Sequence, residues 1–396
     1  MTVWTTENLA EARERGWDAV VPPDDLFRSP GWLALESEQT NLPPRYYLAG
    51  EPGRAEAGLS CYPLDASSEP WPFMRVDRTV RMLAAARGVE PDEDTARAVD
   101  ALLPTRLFGG RRVPDTALVT APGLPENRRQ HRIAELIAAG EDDARAAGAA
   151  SSAFLFVAAS DTVLREVLRE RGYAEVPTAH YSTLRLSEPG FEGYLRLLPS
   201  DRRRKVRYER RRLEAAGVGF RIEPLTPALT GELVPLLLKH GSKYGHAYTP
   251  EAMTRTVRLH ATHCGADAEV ITARSQDGVV RGFSLVVRRG SRLYIRLTGY
   301  DYDWQGKLPL YFALCFYEPV EHASRIGATT LDYAVASEST KLSRGCTQER
   351  RFGYVKAFDP TTHTTVARLL ARLGDDPRTA RVDAPRAAAG ARLELP

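Results

Sequence analysis

The densest group of side chains able to do chemistry lies at residues 202–212, RRRKVRYERRR, where eight of eleven residues are Arg or Lys and Glu209 is the single acid. With 3.6 residues per turn, eight cations in three turns cover most of a helix's circumference, so they cannot all pair within the helix. One reading is a solvated helix face with Val206 and Leu213, seven apart, marking the core side. The other is a platform for a phosphate-rich ligand such as a nucleotide diphosphate, CoA or tRNA, because like charges this close repel unless an anion offsets them. On that reading Arg203, Arg204, Lys205, Arg207 and Arg211 are the candidate phosphate contacts.

Two further groups stand out. In ASESTKLSRGCTQERRFGY, Lys341 and Arg344 are three apart among Ser, Thr and Gly, a setting in which cations and hydroxyls meet an anionic ligand. A polar surface loop has the same spacing. In HGSKYGHAYTP, His240, Lys243, Tyr244, His246 and Tyr248 crowd one short stretch, and either histidine could take a proton from an attacking amine. Ordinary loop residues read the same way. As a metal site this stretch is poor, since no Cys, Asp or Glu stands at ligand spacing, and we expect no metal. GxxxxGK[ST], GxSxG, HExxH and a GxGxxG after a strand are all missing, which sets aside several enzyme classes.

The elements that must position these residues follow from period and punctuation. Ser29-Pro30 is a helix start for GWLALESEQT, after a segment that reads as short helices. RYYLAG and AGLSCYPL, parted by the turn EPGRAE, read as antiparallel strands. A Pro-, Gly- and Arg-rich connection to about residue 120 contains a helix at DEDTARAVDALL and the loop FGGRRVPDT. A long helix over 127–147, the strand AFLFVAA, the helix DTVLREVLRERGY and the strand HYSTLRL follow. That order is the layout of one half of a GNAT acyltransferase. After the basic helix, with Ser200 or Asp201 as N-cap and Gly217 as stop, two helices, three strands including RLYIRLTGYD, the helix LPLYFALCFYEPVEHASRIG, the strand TTLDYAV, a polar loop and a strand near FGYVKAF repeat the order. We place an N-terminal half at 1–190, a basic connecting helix at 191–217, a C-terminal half at 218–372 and a flexible tail at 373–396.

Composition sets the outer bounds. A chain of 396 residues with 43% hydrophobic and 27% charged residues has material for two cores. The balance of 54 basic against 51 acidic residues gives +3, too little for a general nucleic-acid coat. Four scattered cysteines without a CxxC read as free thiols of a reducing compartment. There is no export signal and no apolar run of about 18 residues, so the expectation is a cytoplasmic protein without a membrane span.

Together SPGWLALESEQ, LLPSDRRRKVRYERRRLEAAG, LYFALCFYEPVEHASRIG and TTLDYAVASESTKLSRG resemble the FemAB-like N-acyltransferases, related to the FemXAB peptidyltransferases, over about 28–358. The basic helix and the closing K-x-x-R-G are the specific parts. The resemblance implies an α/β (α+β) fold of two tandem GNAT-like domains with a cleft between them. It also implies transfer of an acyl group to an amine. Lys341 matches the lysine that lies near the reacting ester and the donor's phosphates in FemX-type enzymes, where it can stabilise an oxyanion. Asp332 and Tyr333 accompany it as catalytic candidates, and Arg344 as a phosphate contact. Where this chain has FGGRRVPDT the family usually shows a more apolar loop, so Arg111 and Arg112 join Tyr244, His246, Tyr248 and Tyr300 as acceptor contacts.

The leading expectation is an enzyme that moves an aminoacyl group from aminoacyl-tRNA, as co-substrate and without a cofactor, onto the amine of a natural-product intermediate or peptidoglycan precursor. An acyl-CoA-dependent N-acyltransferase is the alternative. Against it, the Gly-rich turn that GNAT enzymes place before the long helix is replaced by WQGKLPLYFALCFYE, where Gly306 is alone and Pro309 lacks an amide. A non-catalytic RNA- or anion-binding module is the third reading.

Overall fold

The computed structural model describes residues 3–39, 42–51, 53–68, 75–111, 114–246 and 248–374. In the first half the strands are Trp4–Thr6 (β1), Arg45–Glu51 (β2), Arg54–Leu64 (β3), Thr105–Phe108 (β4), Val119–Thr120 (β5), Ser151–Ala158 (β6) and Ala174–Arg185 (β7). Its helices are Leu9–Glu14 (α1), Trp17–Val20 (α2), Pro30–Glu38 (α3), Val76–Ala86 (α4), Glu93–Asp100 (α5), Glu126–Ala146 (α6) and Thr162–Glu170 (α7). Two helices, Gly190–Leu197 (α8) and Ser200–Ala215 (α9), lead into the second half. There the strands are Gly219–Pro224 (β8), Ala268–Arg274 (β9), Val280–Arg289 (β10), Arg292–Tyr300 (β11), Thr330–Asp332 (β12) and Thr347–Ala357 (β13). The helices are Thr230–Lys243 (α10), Pro250–Cys264 (α11), Tyr302–Gln305 (α12), Leu310–Phe312 (α13), Glu318–Arg325 (α14), Glu338–Leu342 (α15) and Pro360–Gly374 (α16).

Among the described residues the strands form one sheet in the order β1-β2-β3-β4-β6-β13-β7-β12-β11-β10-β9-β8, with β5 on β3. Neighbours run antiparallel except β4 with β6 and β11 with β12, which are parallel. The order is a repeat about the β7–β13 pair. Each half lays four strands side by side, adds a fifth in parallel, and then sends its last strand across to the other half: β7 pairs with β12 and β13 with β6. A boundary at residue 190 therefore divides the chain without dividing the sheet.

Helices cover both faces. On the first half, α6 and α7 bury Ile133, Leu136, Leu164 and Leu168 against Phe108 and Phe154, and α4, α5 and α16 gather Leu83, Val99 and Leu370 on the opposite side. On the second half, α8, α9 and α14 bring Leu195, Val206, Leu213 and Val320 to one face. The other face holds α10 and α11, with Leu233 and Val257, and it also receives Trp32 and Leu35 from α3 of the first half. The Ser29 hydroxyl accepts from the Trp32 amide, so the expected start of α3 is where the Ser-Pro pair places it.

Several local expectations change. Residues 4–6 form a strand where short helices were expected, and α4, β4, β8 and α16 had no counterpart among the elements expected from period and punctuation. The 191–217 segment is two helices parted at Leu198-Pro199, and no side chain of Ser200 or Asp201 caps the second; Gly217, at φ +66°, does end it. The long helix from Leu310 to Arg325 contains a π turn at Ala313–Tyr317. Pro319 follows directly: its missing N–H leaves the usual Cys315 carbonyl bond unmade and its ring crowds that carbonyl, which the wider turn relieves. The polar loop after β12 contains α15. Of the tail, residues 375–396 lie outside the described residues.

Helix α10 reaches β11 through a glycine. A Cβ on Gly299 would lie 2.6 Å from Phe283 Cε1 and 2.8 Å from the Leu236 carbonyl carbon. Gly299→Ala is expected to destabilise the fold by roughly 1–3 kcal/mol, since neither backbone nor ring can give way cheaply. Chemical denaturation measures it; an unchanged midpoint would show that α10 does not rest on β11 at this point.

Candidate active site

The parallel ladder between β11 and β12 is short. It runs Arg292↔Thr330, Leu293↔Leu331, Tyr294↔Asp332 and stops, while β11 continues to Tyr300 beside β10. Past Tyr294 the edge of β11 that faced β12 has no strand partner among the described residues, and the parting of the two strands marks a slot. At its start β11 carries a bulge. Leu285 faces Leu297 and Val286 faces Ile295, which leaves Arg296 extra and redirects its side chain.

The chain leaving β12 is strained. Ala334, Ala336 and Ser337 have φ of +53°, +68° and +52°, a region that side chains with a Cβ avoid. Lys341, one turn into α15, holds this loop. Its ammonium donates to the carbonyls of Tyr333 (2.6 Å), Ala334 (3.3 Å) and Val335 (2.6 Å), three donors for three acceptors. Lys341 is 6% exposed, so it does not lie in a plain polar surface loop. Burial pushes its pKa down to about 8, yet the three carbonyls favour the charged form, and at neutral pH it remains an ammonium. To reach a ligand it must release a carbonyl.

Asp332 and Tyr333 sit where the strand ends. The Tyr181 hydroxyl of β7 donates to Asp332 Oδ1 at 2.6 Å, and the Ala334 amide adds a longer bond at 3.3 Å. Oδ2 makes no hydrogen bond to a described residue. Burial, with Asp115 adding repulsion, raises the Asp332 carboxyl to about 6. Tyr333 is buried, stacks on Phe316 at 4.8 Å, and its hydroxyl has no partner among the described residues. Below Tyr181 runs a charged chain: Arg351 lies 4.3 Å from its ring and 3.1 Å from Asp115, which Arg28 also binds at 2.8 Å.

Arg344, expected as a phosphate contact, is buried in an ion pair. It is 2% exposed, pairs with Glu209 of α9 at 3.1 Å, and lies 4.0 Å from the Phe312 ring. Glu209 also accepts from the Tyr317 hydroxyl. The single acid in the basic run is thus the buried anchor of α9, beside Val206 and Leu213. The cations around it differ in their engagement. Arg203 donates to the Leu198 carbonyl, Arg207 pairs with Glu192, and Arg210 pairs with Glu321, while Lys205 approaches Glu209 only to 3.9 Å. Arg204 and Arg211 are exposed and have no partner among the described residues; Tyr208, half exposed, lies between them on the same face.

The acceptor candidates do not form one group. His240 brings together Tyr244, Tyr300 and Tyr302, with ring centroids 5.0–6.1 Å away, and its Nδ1 is 2.6 Å from the Tyr302 hydroxyl. Burial lowers His240 to about 4, which keeps it neutral. Tyr300 itself is buried, its hydroxyl on Cys315 Sγ at 3.1 Å, so it does not present a free contact. His246 and Tyr248 stack on one another, and Tyr248 fills the space that the missing Cβ of Gly241 leaves. Arg111 is buried near the Glu36 carbonyl, and Arg112 lies outside the described residues. Arg296, Tyr181, Arg351 and Asp115 were missed. Their signal was faint: Arg292 and Arg296 four apart in an otherwise apolar strand. No group of His, Cys, Asp and Glu among the described residues could hold a metal ion.

Two outcomes follow from this geometry. Lys341→Met removes a buried cation and strips the Tyr333 and Val335 carbonyls of this donor, while the Ala334 carbonyl keeps the Ser182 amide, so it is expected to destabilise the protein by roughly 2–5 kcal/mol. A melting temperature equal to wild type would refute the clamp. For Asp332 the folded carboxyl binds its proton more tightly than the unfolded one, about 6 against 3.8, so ionisation opposes folding as pH rises through that window. Asp332→Asn, which still accepts from Tyr181, is expected to match wild type below pH 4 and to exceed it by on the order of 2–3 kcal/mol above pH 6. Denaturation at pH 4 and pH 7 checks the difference; a gap that is constant with pH would contradict it.

Comparison with known proteins gives the setting. The FemAB-like family model, described as peptidoglycan biosynthesis/recognition, matches residues 117–383. No curated protein matches the sequence. Among solved structures, FemX superposes with a TM-score of 0.61 at 11% identity, over 92% of this chain and 100% of FemX. L-PGS from Bacillus licheniformis gives 0.52 at 12%, over 91% and 95% of the two chains. A conserved protein of unknown function from Bacteroides thetaiotaomicron VPI-5482 gives 0.53 at 10%, over 90% and 100%. At these identities the structures share the α+β fold. With two thirds of its length matched by the family model, the chain belongs to the FemAB-like family and is an acyl-group transferase.

Proposed function

We propose that this protein transfers an aminoacyl group from aminoacyl-tRNA to the amine of a small acceptor, forming an amide, with the slot between β11 and β12 as the reacting site. The observation that carries this reading is the Glu209–Arg344 pair. It ties the basic helix to the turn that follows Lys341, and so fixes which face of that helix, the one with Arg204 and Arg211, is left outward for the donor's phosphates.

The chemistry is attack of an amine on an ester carbonyl. The nitrogen–carbon bond forms as the ester carbon–oxygen bond breaks, the ribose oxygen leaves, and the amine loses a proton. Unpaired backbone along β11 offers polar groups to the developing oxyanion. Lys341 acts from behind as a positioning residue, fixing the strained loop and adding positive charge. Asp332, with Oδ2 open and a pKa of about 6, is basic enough to accept the amine's proton near neutral pH. Tyr333 forms the wall between them. The acceptor on this reading is a natural-product intermediate or a cell-wall precursor. No helix among the described residues is long and apolar enough to cross a membrane.

The double variant Arg204→Gln/Arg211→Gln tests the platform, because neither side chain contributes to the fold through an ion pair. Filter binding of charged tRNA is expected to weaken roughly tenfold or more, and the slope of log affinity against log salt to fall by about 2, one for each phosphate that is no longer neutralised. Melting should match wild type. Unchanged tRNA affinity in the folded variant would end the tRNA reading of this helix.

A further inference from the structure

Arg296 is an arginine without a counter-ion at the mouth of the slot. Its guanidinium carbon lies 4.6 Å from the Trp32 ring centroid and 5.1 Å from that of Phe27. It makes no hydrogen bond or ion pair with any described residue, and its Nε is fully enclosed without an acceptor. The acids nearest to it, Asp332 and Glu36, act on it only through space, and each has donors of its own: Tyr181 for the first, Trp32 Nε1 at 3.0 Å and the Tyr62 hydroxyl for the second.

This arrangement leaves the enclosed side of the charge without an anion. Desolvation pushes the guanidinium below its ordinary value, but arginine cannot discharge itself in a protein, so the charge stays. The residue is partly exposed and its Nη groups keep some water, but Nε is enclosed without an acceptor, and contact with two rings returns only on the order of 1–2 kcal/mol. A bulge that puts such a residue there, when the regular ladder would have turned it aside, serves a ligand that supplies the missing anion.

We infer that Arg296 binds a carboxylate carried by the acceptor, which makes the acceptor an amino acid, a short peptide or another amine with a free carboxylate. A single planar anion suits the site. It matches the guanidinium fork, and one negative charge balances one uncompensated positive charge. A phosphate dianion would bring a second charge toward Asp332 and Glu36. The inference rests on the transfer reading for the word acceptor, while the site itself stands on the geometry of Arg296.

The test uses purified protein, no tRNA and three probes at constant ionic strength: glycylglycine, its C-terminal amide, and inorganic phosphate. Thermal unfolding and calorimetric titration are run on wild type, Arg296→Met and Arg296→Lys. Glycylglycine is expected to raise the wild-type melting temperature and the amide is not. Arg296→Met is expected to weaken glycylglycine binding roughly 10–100-fold, the loss of a charge-assisted pair, and to melt above wild type when no ligand is present. Arg296→Lys, which keeps the charge without the fork, should fall between. The proposal is overturned if Arg296→Met melts lower or fails to fold, since the arginine is then structural. It is equally overturned if the three probes act alike, or if phosphate stabilises wild type more than glycylglycine, which reassigns the site to a phosphate group. Because tRNA is absent, a failed carboxylate effect beside intact tRNA-dependent transfer rejects only the Arg296 assignment, and the reverse rejects only the transfer reading.

Discussion

The separation of β11 from β12 after Tyr294 and Asp332 is the constraint on which the rest of the site depends. Two parallel strands gain by staying paired, so a parting must be held. Here it is held from both sides. The bulge at Arg296 turns β11, and the left-handed residues Ala334, Ala336 and Ser337 turn the chain out of β12. Lys341 collects the carbonyls that this turn exposes. Its ammonium ties the strained loop to α15.

The exchanged strands supply what a single half could not. Because β7 lies between β13 and β12, Tyr181 of the first half reaches Asp332 of the second, and Arg351 on β13 reaches Asp115 of the first. A buried acid with a raised pKa, a hydroxyl on it and a charged chain below thus come from four places in the sequence. On the outside, Glu209 does the same for α9: paired with Arg344, it turns Val206 and Leu213 inward and Arg204, Tyr208 and Arg211 outward. The first reading of the basic run describes what is seen, since one stripe is core and another faces solvent.

The repeat of elements, the basic helix and the Lys341–Arg344 segment were legible because period, charge density and local spacing are properties of neighbours in sequence. Burial was not. Lys341 and Arg344 have the composition of a surface loop, and only Glu209, an acid at the 206-209-213 spacing of a buried stripe, hinted that a cation had to come inward to meet it. The strands β1, β4 and β8 were missed because each is short or owes its pairing to a distant partner. Arg296 could not be singled out, since a bulge is set by the register of β10 against β11. The His240 group was half legible: its members cluster in sequence, but burial of Tyr300 and the stacking of His246 on Tyr248 divide them.

The most direct measurement of the proposed reaction is product mass. The purified protein is incubated with a panel of carboxylate-bearing amines and a mixture of charged tRNAs, with and without prior ribonuclease treatment. The expected result is an acceptor heavier by one aminoacyl residue, formed only when the RNA is intact. Product that survives ribonuclease, or that forms from acyl-CoA in the absence of tRNA, would contradict transfer from aminoacyl-tRNA.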